Sequence, residues 1–130
     1  MADQTQSTIG VAGAYIFLSS THTLLPPMPT DTIRVSQTRV YIVRHGETED
    51  NKQKIIQGQL DTILNSEGEQ QADLVAKALK DIPFEVAYSS NLKRATDTAK
   101  RILVHHPGVE VQTHIAIRER VCSYPVCLRC

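Results

Sequence analysis

Arg44, His45 and Gly46 stand together at the end of an apolar run, and a second arginine, Arg94, follows a Ser-rich turn further on. A guanidinium meets phosphate with a planar, two-pronged fork. A neutral imidazole carries a lone pair that can attack phosphorus. Positive neighbours and burial both disfavour imidazolium, so a histidine between two arginines is expected to be neutral near pH 7. Gly46 leaves room for the backbone to approach a ligand. The chemistry these types suggest is phosphoryl transfer, with Arg44 and Arg94 stabilising charge on the oxygens of the moving group. The same residues also admit a plainer reading, a histidine closing a strand and arginines in surface ion pairs.

These side chains need elements to hold them. "RVYIV", residues 39–43, is β-branched and aromatic, and its unbroken apolar run predicts a strand buried on both faces. Residues 44–65 carry Gly46, Gly58, Asp61 and Asn65 without a helical period, which reads as a long loop with one helical turn. "SEGEQQADLVAKALKD", 66–81, predicts a helix opened by a capping box of Ser66 and Glu69, with Ala72, Val75, Ala76 and Leu79 on its apolar face and Pro83 beyond its end. "FEVAYSS", 84–90, predicts a strand. "NLKRATDTAKRILVHH", 91–106, predicts a helix with Leu92, Ala95, Ala99, Ile102 and Leu103 as its stripe and Pro107-Gly108 as its stop. "VEVQTH", 109–114, alternates like a third strand. Strands alternating with helices imply βαβ units, a mostly parallel sheet and a site beyond the carboxyl ends of the strands. Arg94 falls at that end, in the first turn of a helix whose free N–H groups favour an anion.

The bulk numbers permit this and narrow the rest. The 130 residues suffice for one small domain with a core. Fourteen basic and fourteen acidic residues cancel, so no nucleic-acid or anionic-membrane surface is expected. Tryptophan is absent, which argues against base-stacking platforms. Cys122, Cys127 and Cys130 all lie in the last nine residues, and neither a disulfide framework nor a zinc site is expected from them. Residues 9–18, "IGVAGAYIFL", are too short to span a bilayer, and the first basic side chain is Arg34, so a cytoplasmic protein is expected. Residues 1–37, with "LLPPMPTDT" at 24–32, read as a largely disordered extension and linker.

"RHGETEDN", 44–51, "SSNLKRATDTA", 89–99, and "IRER", 117–120, occur in that order. Together they resemble the three motifs of the histidine phosphatase superfamily, the phosphoglycerate mutase-like proteins. "NKQKIIQGQ", 51–59, is most similar to the fructose-2,6-bisphosphatase type within it. The resemblance covers about residues 38–120. It implies a partial three-layer α/β/α fold of the phosphoglycerate mutase kind, with the C-terminal part missing. It implies His45 as the nucleophile that becomes phosphohistidine, and Arg44 and Arg94 as the phosphate clamp. Thr48, Asn51 and Gly58 would line the substrate pocket. Glu119 would be the general acid and then the base that activates water. Thr48 and Asn51 could equally be turn formers, and Glu119 a surface acid. The implied partner is a small phosphorylated metabolite, with no metal and no cofactor.

The sequence also departs from that family. A second pocket histidine is required near the C-terminus, and His22, His105, His106 and His114 lie in no suitable motif. After Arg120 the chain reads "VCSYPVCLRC", a divergent tail over 121–130 that suggests a spliced, frameshifted or wrongly predicted gene product. The alternative to an active phosphatase is therefore a catalytically impaired, truncated form that binds phosphate or a partner. Loss of the later strands would leave an exposed sheet edge open to homo- or hetero-association, and marginal stability.

Overall fold

The computed structural model describes residues 15–22 and 37–119. Two strands, β1 (Tyr15–His22) and β2 (Gln37–Arg44), precede a short helix α1 (Glu49–Lys52) and a longer helix α2 (Ser66–Leu79). Strand β3 (Val86–Ser89), helix α3 (Lys93–Ile102), a 3-10 turn and strand β4 (Val111–Thr113) complete the order, with a last 3-10 turn at Ile115–Ile117. The predicted single helical turn in the long loop is α1, closed by reciprocal hydrogen bonds between Thr48 and Asn51. The cap of α2 lies one residue before the predicted box: Asn65 Oδ1 accepts from Gly68 N at 2.8 Å.

The sheet order is β2-β1-β3-β4. β2, β3 and β4 all run in one direction, as the alternation of strands and helices implies. β1 enters antiparallel between β2 and β3, with Ile16 opposite both Val43 and Ser89, and only β3–β4 is a directly paired parallel couple. The sheet is therefore mixed, and the reading of residues 1–37 as extension and linker is corrected for 15–22. "YIFL" is strand-forming in its own right, and a β2 and β3 left apart would each keep an unpaired ladder. The remaining N-terminal residues, the Pro-rich segment and the cysteine tail lie outside the described residues.

One face of the sheet holds the core. Ile16, Leu18 and Ala87 pack against Ala99, Ile102, Leu103 and Phe84, with Tyr41, Val43, Val75 and Leu79 partly buried at the margin. The predicted stripe of α3 meets this core through Ala99, Ile102 and Leu103, with Leu92 and Ala95 in a second small buried cluster, and α2 adds Val75 and Leu79 at the margin. On the opposite face Val40 and Ile42 are 57% and 61% exposed, and Tyr88 is exposed beside them. The expectation that β2 is buried on both faces is thus corrected: among the described residues α2 and α3 cover one side.

Candidate active site

β2 ends by driving His45 into the protein, where it is buried. Its ring is fixed at both nitrogens. Nε2 lies 3.2 Å from Nε of Arg94, which can only donate. Nδ1 lies 2.7 Å from the carbonyl oxygen of Gly46, which can only accept. The proton is therefore on Nδ1, and the lone pair of Nε2 faces the guanidinium. Burial first, and then the charges of Arg94 and Arg44, hold the His45 pKa down at about 4, against a partial upward pull from the Gly46 carbonyl. The expected neutral imidazole is present, with desolvation as the larger cause.

Arg94 is fully buried, rising from the first turn of α3. Besides His45, it donates to the carbonyl of Leu60 at 2.5 Å and that of Gly58 at 2.8 Å. It also reaches Thr62 Oγ1 at 3.5 Å and Glu119 Oε2 at 3.2 Å. Gly58 can offer its carbonyl because its φ is +52°, a conformation that side chains disfavour. The segment bearing Glu119 is tethered by its neighbour Arg118, which donates to Asn91 at 2.6 Å and Gln59 at 3.4 Å. His45, Arg94, Gly58 and Glu119 thus meet at one point.

Other expected residues stand elsewhere. Arg44 is exposed on the same side of β2 as Val40 and Ile42, and it reaches His45 by charge rather than by contact. Thr48 and Asn51 satisfy one another: Asn51 Oδ1 accepts from Thr48 N and Oγ1, and Thr48 Oγ1 accepts from Asn51 N. The α3 N-terminus is also occupied, since Lys93 N donates to Asp61 Oδ1 at 2.7 Å and Arg94 N to the Thr62 carbonyl. That corrects the expectation of free N–H groups there. His106 is buried edge-on against Phe84, and His114 caps the last 3-10 turn at Ala116 N. His105 is exposed at the turn that follows α3.

Three residues that sequence reasoning missed hold the nucleophile loop. Gly46 N donates to Thr98 Oγ1 at 3.1 Å, and that hydroxyl donates to the Arg94 carbonyl at 2.7 Å. Glu47 N donates to Gln71 Oε1 at 3.0 Å. Gly46 and Gly68 cross so closely that a Cβ on either would fall well inside 3.0 Å of the other segment's backbone. The space at Gly46 is used by the protein itself. The only sequence signal was a glycine inside a helical pattern, which costs helix stability and so marks a close approach.

The arrangement presents an uncharged nucleophilic nitrogen, one buried guanidinium and a carboxylate across it. Among the described residues no group of acidic, histidine and cysteine side chains is assembled for a metal ion, and no helix is long and apolar enough to cross a membrane. Residues 40–123 match the family model for the histidine phosphatase superfamily (branch 1). Phosphoglycerate mutase-like protein 4 of Arabidopsis thaliana is 44% identical over 91 residues, covering 69% of this chain and 40% of the relative. A fructose-2,6-bisphosphatase of Danio rerio is 45% identical over 83 residues, covering 61% and 32%. Among solved structures, a phosphoserine phosphatase from Entamoeba histolytica, in complex with 3-phosphoglyceric acid, superposes with a TM-score of 0.53 at 40% identity, covering 59% of this chain and 37% of that one. The chain spans two fifths or less of the length of these relatives.

Proposed function

The chain belongs to the histidine phosphatase superfamily, and on that premise we propose that it takes the phosphoryl group of a small phosphomonoester onto His45 and passes it to water. The observation that carries this reading is the state of His45, neutral, protonated on Nδ1, and aiming the Nε2 lone pair at a buried guanidinium. An arriving phosphate takes the Arg94 Nε–H away from that lone pair, which frees Nε2 to attack phosphorus. The P–N bond forms as the ester P–O bond breaks, and Glu119 gives a proton to the leaving alkoxide. The same phosphate competes with Glu119 for Arg94 Nη2, and so releases the carboxyl from the guanidinium to face the leaving oxygen. Water then attacks the phosphohistidine, its proton passes to the Glu119 carboxylate, and the P–N bond breaks.

A sugar phosphate or bisphosphate is the substrate class favoured by the similarity to a fructose-2,6-bisphosphatase. A second reading, a phosphate-binding module without turnover, is favoured by one observation. Arg94 is saturated by protein acceptors, and no second histidine joins it among the described residues. Rapid quenching after mixing with a radiolabelled phosphomonoester separates the two. Turnover through His45 gives an acid-labile, base-stable adduct that is absent in His45→Ala, together with released phosphate. Phosphate binding without any adduct selects the second reading and overturns the first.

A further inference from the structure

We propose that Gln71 is a positioning residue that fixes the tautomer and aim of the His45 ring. The peptide unit joining Gly46 to Glu47 has two polar ends. Its carbonyl accepts His45 Nδ1–H at 2.7 Å, and its N–H donates to Gln71 Oε1 at 3.0 Å. A peptide is a stiff plane, so the amide of Gln71 holds one edge and the imidazole reads the position of the other. The two bonds also reinforce one another, because an acceptor on the N–H makes the carbonyl of the same unit a better acceptor.

The neighbouring anchors do different work. Thr98 holds the N–H of the preceding peptide. Asn65 holds the Glu47 carbonyl through its own N–H at 3.0 Å and the Glu47 carboxylate through Nδ2 at 2.9 Å. Among the described residues, Gln71 is the side chain that hydrogen-bonds to the plane whose oxygen touches the ring. If that plane tilts, the Gly46 oxygen leaves Nδ1 and the Nε2–H tautomer becomes available. That tautomer would set an N–H against the Nε–H of Arg94 and abolish the nucleophilic lone pair. Gln71 belongs to the first half of α2, and "GEQQ" reads by itself as an ordinary polar stretch of helix. The consequence for reactivity rests on the phosphoryl-transfer reading, whereas the tautomer is observable without it.

The test uses the full 130-residue chain labelled with 15N-histidine, and reads the His45 ring nitrogens by long-range proton–nitrogen correlation. Wild type is expected to show Nδ1–H. Gln71→Met keeps side-chain length and removes the acceptor. It is expected to move His45 toward a mixture of tautomers and to slow phosphohistidine formation about tenfold or more, given how steeply reactivity falls with misplacement of an attacking group. Gln71→Glu keeps an acceptor oxygen and is expected to restore both. A merely structural role would lower the melting temperature and leave the tautomer unchanged, and an unaltered Nδ1–H signal in folded Gln71→Met would overturn the proposal. If Gln71→Met does not fold, Gln71→Asn, whose oxygen falls a methylene short, gives the same decision. Failure of wild type to form any phosphohistidine would sink the reaction reading but leave the tautomer comparison decisive.

Discussion

At the scale of single residues, the histidine is set by what surrounds it, and that makes it sensitive to pH in a definite direction. The folded pKa of His45 lies at about 4, below the usual 6.5. The fold thus favours the neutral ring. The stabilisation is complete above the unfolded pKa and is lost as pH falls from about 6.5 toward 4, in total about 3 kcal/mol. His106 pulls in the same direction, because burial, and then the charge of His105, lower its pKa too. Its Nε2 is buried without a partner. Denaturant titrations at pH 7.5 and 5 should therefore show a weaker protein at the lower pH, and His45→Asn should lose part of that difference. Adduct formation at His45 should stay level from pH 8 to about 5.5 and fall below it. Arg94 makes a second prediction. Its removal leaves two carbonyls and Glu119 without their cation, so Arg94→Ala should cost about 3 kcal/mol or more in chemical unfolding. Arg94→Lys should keep more stability yet form no adduct, because one ammonium cannot replace the fork. His45 and Arg94 could be picked out as candidates in the sequence because their chemistry resides in their own side chains, whereas Glu119 entered through the family resemblance alone. Gln71 and Thr98 could not, because they act through backbone groups that only tertiary structure brings within reach.

Among the elements, α2 is the one whose role the sequence concealed. Its periodicity announced a helix with an apolar face, and that face does meet the core. Nothing in the periodicity says that the first turns of the same face are the mould for the nucleophile loop, with Asn65, Gly68 and Gln71 each meeting residues 46–47. Gly68 makes that role testable. A Cβ there would overlap the backbone N, C and O of Glu47, and overpacking against backbone cannot be relieved by a rotamer change. In an exposed helical turn Gly→Ala is stabilising by about 1 kcal/mol. Gly68→Ala should reverse that sign, lowering stability by about 1–3 kcal/mol and disturbing the His45 ring signals together with it. An unchanged melting temperature and unchanged His45 resonances would show that the crossing is looser than it looks. The strands were legible for a simpler reason. β2, β3 and β4 carry their signal in local composition, whereas the seat of β1 between β2 and β3 depends on pairing with residues far along the chain.

For the molecule as a whole, the decisive fact is that the sheet has, among the described residues, one covered face and one open one. β2 lies at the edge of the sheet order, so one of its two ladders is unpaired among the described strands. Its outward side chains, Val40 and Ile42, continue across the open face to Tyr88. The register explains the alignment: Phe17 of β1 stands opposite both Ile42 and Tyr88, so these apolar residues form one row. An edge ladder beside an apolar row is the combination that natural sheets usually cover, shorten or charge. Here it borders the strand that delivers His45. Stability and association should therefore be linked. The isolated chain should melt below about 60 °C, and light scattering over a series of concentrations should reveal association that grows with protein concentration. Ile42→Lys places a charge at the edge-strand end of the row without touching the core, since position 42 faces away from Ile16 and Leu18. That substitution should suppress association and leave both the fold and the His45 environment intact. A wild-type chain that stays monomeric across the series would mean that the open face is protected within the chain itself, and the same variant would then change nothing.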